Sequence, residues 1–81
     1  MTFVFGNLPD NIAEADIKDL LHHYKLLKIE FFKKSVPHHH SLYECMVTVD
    51  IKDPVMGSLF EQHYNHLCWK GICINVHRLI F

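Results

Sequence analysis

Eight histidines, three cysteines and nine carboxylates are the side chains of this 81-residue chain that could do chemistry. Three of the histidines are consecutive, His38-His39-His40. Adjacent loop residues rarely converge on one ion, and no carboxylate stands beside these three to orient their rings, so the run reads as a polar loop. Cys68, Cys73 and His77 suggest a second ligand set. Cys73 and His77 lie four apart on what reads as one strand, roughly 13 Å at about 3.3 Å per residue, too far to share an ion. Cys45 falls among inward positions and reads as a small core residue. Catalysis needs a nucleophile, a base and an oxyanion site that converge. Glu44, Cys73 and His77 share a face, but nothing activates the thiol, and no glycine-rich phosphate loop is present. His22, His23, His63 and His66 read as solvated helix positions. The expectation is a chain without catalytic residues, metal or cofactor.

Composition narrows the class. The length suits one small domain spanning 1–81 with a modest core. A hydrophobic fraction of 49% is too high for a disordered chain. The net charge of −1 supplies no global basic field, although protonation of the histidines between about pH 5 and 8 softens that balance. An odd number of cysteines without a framework spacing argues for free thiols in a reducing compartment. No run approaches the roughly 18 apolar residues of a membrane span, and no basic-then-apolar leader precedes the first strand. The location expected is intracellular and cytoplasmic, the nucleus being the alternative.

The elements that must position these side chains follow from periodicity. Thr2-Phe3-Val4-Phe5 alternates as a strand, with Phe3 and Phe5 on one face and Thr2, Val4 and Gly6 on the other, before a turn at Gly6-Asn7-Leu8-Pro9. Asp10 and Asn11 offer capping oxygens for a helix whose apolar face is Ile17, Leu20, Leu21 and Tyr24. Lys25 to Lys34 reads as a second strand, with Leu27, Ile29 and Phe31 on one side and Lys28, Glu30 and Phe32 on the other. Pro37 and its polar neighbours end it. Leu42 to Asp50 is a third strand, turning Tyr43, Cys45, Val47 and Val49 inward and Glu44, Met46 and Thr48 outward. Asp53-Pro54 starts a second helix running to about Tyr64. Its buried face reads either as Val55 with Leu59 or as Met56 with Phe60 and His63. Gly57 inside it costs about 1 kcal/mol against alanine or marks close packing on the sheet. Trp69-Lys70-Gly71 is a turn. Ile72 to about Arg78 is the last strand, with Ile72, Ile74 and Val76 inward and Cys73, Asn75 and His77 facing away.

The order β-α-β-β-α-β predicts an α+β, ferredoxin-like fold. Two right-handed crossovers put both helices on one face of a four-stranded antiparallel sheet. The spatial order is then last, first, third, second, with the other sheet face open.

The opening stretch resembles the first ribonucleoprotein signature of the RNA recognition motif, apolar-aromatic-apolar-Gly-Asn-Leu. Phe3, Phe5, Gly6, Asn7 and Leu8 match it; Val4 stands where the family usually carries a base-stacking aromatic. Leu8-Pro9-Asp10-Asn11-Ile12 with Ile17, Leu20 and Leu21 is similar to the family's first loop and helix, although Ala13 replaces the usual capping Thr or Ser. Trp69 to Val76 is similar to its last turn and strand. The second signature overlays Leu42 to Val49 poorly, with Glu44 and Met46 in place of stacking aromatics.

The resemblance covers nearly the whole chain and implies an RNA-binding protein that takes single-stranded RNA on its open sheet face. With the usual aromatics absent, contact would centre on Phe32, His77 and Arg78, with Lys28 and Lys34 guiding phosphates and Val4, Met46 and Asn75 completing the surface. The alternative is a protein-interaction or homodimerisation module, because Val4, Met46 and Phe32 form an apolar patch of the kind that marks protein contacts. Leu79, Ile80 and Phe81 would fold across the sheet, extend an edge strand or dock in a neighbour.

Overall fold

The alternating aromatics of strand β1 (Thr2–Leu8) occupy the centre of the fold because two strands flank them. In the computed structural model, which describes residues 1–9, 11–34 and 42–80, β1 pairs with β3 (Leu42–Val49) on one side. Its other neighbour is β6 (Asn75–Leu79). Strand β2 (Leu26–Lys34) lies beyond β3, so the sheet order is β2-β3-β1-β6, antiparallel throughout. Helices α1 (Glu14–Leu20) and α2 (Pro54–Tyr64) complete an α+β architecture. A separate hairpin of β4 (Cys68–Trp69) and β5 (Ile72–Cys73) interrupts the path from α2 to β6. It is an addition to the six elements expected.

Both helices cover the same sheet face. Phe3, Phe5, Cys45, Val47, Val49 and Val76 project from it and are buried with Ile17 and Leu21 of the α1 segment and Phe60 and Tyr64 of α2. Phe60 is the hub, its ring centroid 4.3 Å from Phe3 and 4.9 Å from Tyr24. Each such side chain contributes about 1.5–3 kcal/mol on burial. Among the described residues no polar side chain is fully buried, so shape rather than hydrogen bonding specifies this core.

The capping of α1 departs from expectation. Its N-cap is Ala13, whose backbone N–H donates to Oδ2 of Asp16 at 2.9 Å, and Asn11 lies in the preceding turn. Asp10 lies outside the described residues. The start of α2 is as the sequence predicts: Asp53 caps it, its Oδ1 accepting from the Val55 N–H at 2.9 Å. Of the two faces expected, only Phe60 of the second is buried. Gly57, Phe60 and Tyr64 turn inward while Val55, Met56 and Leu59 are exposed. The rotation follows from Gly57, where an added methyl would meet Sδ of Met1 and lie 3.2 Å from Nη1 of Arg78.

Two irregularities break the simple alternation. Between Phe5 and Leu8 the register with β3 shifts, Asn7 adopting φ 60°. The strand therefore continues through a bulge to Leu8 rather than turning at Gly6. A second shift lies between Leu26 and Lys28. It puts Leu26 against the core and leaves Leu27 exposed, so the single side expected for Leu27, Ile29 and Phe31 is broken at Leu27.

The last strand is divided. Lys70 and Gly71, at φ 52° and 81°, form the two-residue turn of the β4–β5 hairpin, the backbone a tight hairpin demands. Trp69 belongs to β4 rather than to the turn. Cys68 and Cys73 stand opposite one another in this hairpin, their Cα atoms 3.9 Å apart, and are joined as a disulfide. The expectation of three free thiols is corrected to one, the buried Cys45. No helix among the described residues is long and apolar enough to cross a membrane.

Candidate nucleic-acid interface

Strand parity decides which side chains reach the open sheet face. Register across the four strands gives one row Glu30, Met46, Val4, His77. The row beside it is Lys28, Thr48, Thr2, Leu79. The Thr2 and Thr48 hydroxyls meet at 3.1 Å and close the centre of that second row. On the other side Phe32 stands opposite Glu44, and Gly6 opposite Asn75. The absent Gly6 side chain leaves room there, since a Cβ would lie 3.9 Å from both Glu44 Oε2 and Asn75 Cβ.

These rows enclose an open depression of about 290 Å³ lined by Val4, Phe32, Glu44, Met46 and Leu79. Val4, Met46 and Phe32 are thus brought together as the sequence suggests, with Phe32 45% exposed. His77 is exposed beside Val4 in register, and Asn75 is exposed one pair further along β6. Lys28 sits at the rim, its Nζ 2.6 Å from Oε1 of Glu30, so part of its charge is already matched. Lys34 pairs with Leu42 at the end of β2. Its side chain lies outside the described residues.

Arg78 does not join this face. It stands opposite the buried Phe3, and its guanidinium donates to the Pro54 carbonyl at 3.5 Å against the start of α2. The signal was present in the sequence: Arg78 has the opposite parity to His77 and cannot share its face within one strand. By the same rule Leu79 joins Asn75 and His77, a site residue hidden by treating it as part of a tail. Leu79 is the last residue of β6 and pairs with Thr2, so the carboxyl-terminal segment extends the edge strand as far as that point. Ile80 is 82% exposed. Phe81 lies outside the described residues.

The face is electrostatically mixed. His77 is its only histidine among the described residues. His22 and His23 stack at 3.9 Å just beyond α1, His63 lies on α2 against Tyr64, and His66 follows that helix. Burial, with Glu14 nearby, pushes the Cys45 thiol up to about 12. Burial also raises the Tyr64 phenol. The Ala13 N–H, and after it Lys70 at 3.2 Å, lower the Asp16 carboxyl. None of these three groups lies on the open face. Among the described residues no three His, Cys, Asp or Glu side chains converge as a metal site. His38, His39 and His40 lie outside the described residues.

No protein-family model and no curated protein matches the chain. The chemistry of the open face therefore carries the functional argument. Among the described residues that face offers the exposed Phe32 ring, the His77 imidazole, an apolar floor and a threonine pair, bordered by Lys28, Glu30 and Glu44.

Proposed function

We propose that this chain is an RNA recognition motif-like domain, ferredoxin-like in plan with a hairpin added before its last strand, that binds single-stranded RNA on its open sheet face without catalysing a reaction. The observation that carries the reading is the depression bounded by Phe32 and floored by Val4 and Met46, on the sheet face opposite the two helices. A base laid there would stack on Phe32, and a second would meet His77 across Val4. Val4 and Met46 would supply apolar contact in place of rings. Lys28 and Asn75 would contact phosphate and sugar at either end. Arg78 is left out of the binding set because it is committed to α2.

The intracellular, cytoplasmic location belongs to the same proposal and rests on the resemblance to RNA binders. The free-thiol argument for it fails at Cys68 and Cys73. Titration of fluorescent mixed-sequence single-stranded RNA at several salt concentrations tests the reading. Phosphate contacts give a negative slope of log K against log salt. Binding that is absent at low salt, or that is insensitive to salt, contradicts it.

A protein ligand on the same face is the second reading, favoured by the mainly apolar lining Val4, Phe32, Met46 and Leu79. Met46→Glu would abolish such an association. A partner screen returning RNA alone would remove this reading.

A further inference from the structure

The two edges of the sheet are finished differently. Along β6, the Val76 N–H donates to Oδ1 of Asn65 at 3.0 Å and the Arg78 N–H donates to Oε1 of Glu61 at 3.3 Å. Side chains of α2 and its C-cap thus occupy that edge. Along β2 no described residue supplies such cover: the strand pairs with β3 alone, and no backbone hydrogen bond from another described residue reaches its outer edge. Strand β2 is also the longer edge, nine residues against five. It exposes Leu27 at 57% and Phe31 at 37%. A long, apolar, unpaired edge is a template for another strand.

The strand sequence says which partner fits. We propose that β2 pairs antiparallel with β2 of a second copy of this chain, Ile29 opposite Ile29, making one continuous sheet across the joint. In this register Lys28 faces Glu30 of the second copy and Glu30 faces its Lys28. Opposed charges directly across a pair stabilise, and like charges there repel. Each copy already holds Lys28 and Glu30 together at 2.6 Å, so the four side chains alternate in sign around the dyad. The joint also covers Phe31, two residues from its centre and 37% exposed in the single chain. Neighbouring registers lose this match. Centring on Glu30 sets two carboxylates opposite each other, centring on Lys28 sets two ammonium groups opposite, and centring on Phe31 sets Lys28 against Lys34. Opposed residues of antiparallel strands share a face, so the two open faces would lie side by side with a Phe32 on each flank of the joint.

Sedimentation equilibrium of the wild-type chain up to roughly 200 µM, with circular dichroism as the fold control, tests the proposal. The expected result is a reversible dimer, with β2 amides slower to exchange as concentration rises. Glu30→Lys and Lys28→Glu should each weaken dimerisation by about tenfold or more. The double variant Lys28→Glu/Glu30→Lys restores opposite charges across the joint and should return the constant to near the wild-type value. A wild-type monomer at the highest concentration overturns the proposal. So does a dimer indifferent to both single reversals, or a folded double variant no better than the singles.

Discussion

Asn7 donates through Nδ2 to the backbone carbonyl of Cys73 at 2.9 Å, tying the bulge of β1 to the β4–β5 hairpin. Two demands fall on one side chain here. The backbone at φ 60° favours Gly or Asn, and the hydrogen bond needs an amide. Asn7→Ala fails both and should destabilise the chain by about 1–2 kcal/mol. Asn7→Gly keeps the backbone and should lose only about 0.5–1.5 kcal/mol. Urea unfolding of the three proteins measures the ranking, and equal losses for Ala and Gly would argue against the backbone contribution.

Phe32→Ala should weaken RNA binding by about 1–3 kcal/mol, since stacking on one ring contributes that much per base. Because Phe32 is exposed and outside the core, stability should change little. Lys28→Ala should reduce the magnitude of the salt slope by about 0.7, one phosphate contact for a single strand. Arg78→Ala should leave the slope unchanged while lowering stability, its guanidinium being docked on α2. A slope that falls with Arg78→Ala would return that residue to the interface.

With His77 as the open face's only histidine among the described residues, His77→Ala should weaken RNA binding by about 1–3 kcal/mol, since a base stacked on the ring beside Val4 contributes about that much. Replacing His22 and His23 together should leave affinity unchanged. Fluorescence anisotropy at fixed ionic strength distinguishes the two variants. Affinity that survives His77→Ala removes this ring from the interface.

Cys45 predicts a loss of stability on the alkaline side. Its folded thiol is pushed up to about 12 from an ordinary value of 9.0. Above about pH 9 the unfolded chain releases this proton while the folded chain retains it, so stability present below pH 9 declines as pH rises toward 12. Cys45→Ala should unfold with a shallower dependence on pH over that range. Urea midpoints at pH 8 and 10.5 make the comparison, and parallel curves would contradict it. The same burial should keep the thiol unreactive toward alkylating reagents until the chain unfolds.

What sequence could and could not reveal has a physical pattern. Alternation placed the outward row Glu44, Met46, Thr48 and the inward row Cys45, Val47, Val49, because β3 runs without interruption between two neighbours. Asp53-Pro54 marked the start of α2 because capping is a local interaction. Bulges escaped: one extra residue at Asn7 or Leu27 reverses parity, and a periodic reading has no term for it. The inward face of α2 was read only at Phe60, because Gly57, at its centre, has no side chain to count as apolar and could mark close packing without deciding the rest. The Cys68–Cys73 pairing escaped because reading Ile72 to Arg78 as one strand hid the hairpin that sets the cysteines opposite each other. Parity alone separates Arg78 from His77 and joins Leu79 to it.

The hairpin leaves and rejoins the chain at nearly the same point. The His66 N–H donates to the Ile74 carbonyl at 2.8 Å, and the Ile74 N–H returns to the Leu67 carbonyl at 2.9 Å. Asn65 fastens the next step through Val76. The eight residues from Leu67 to Ile74 therefore hang from a clasp, and β6 takes its place in the sheet from the clasp rather than from the turn they form. Lengthening the loop at Lys70–Gly71 would be felt little at the sheet. The position offers a port where a peptide epitope, a fluorophore-bearing segment or a foreign recognition loop can be grafted while the fold beneath it stays in register.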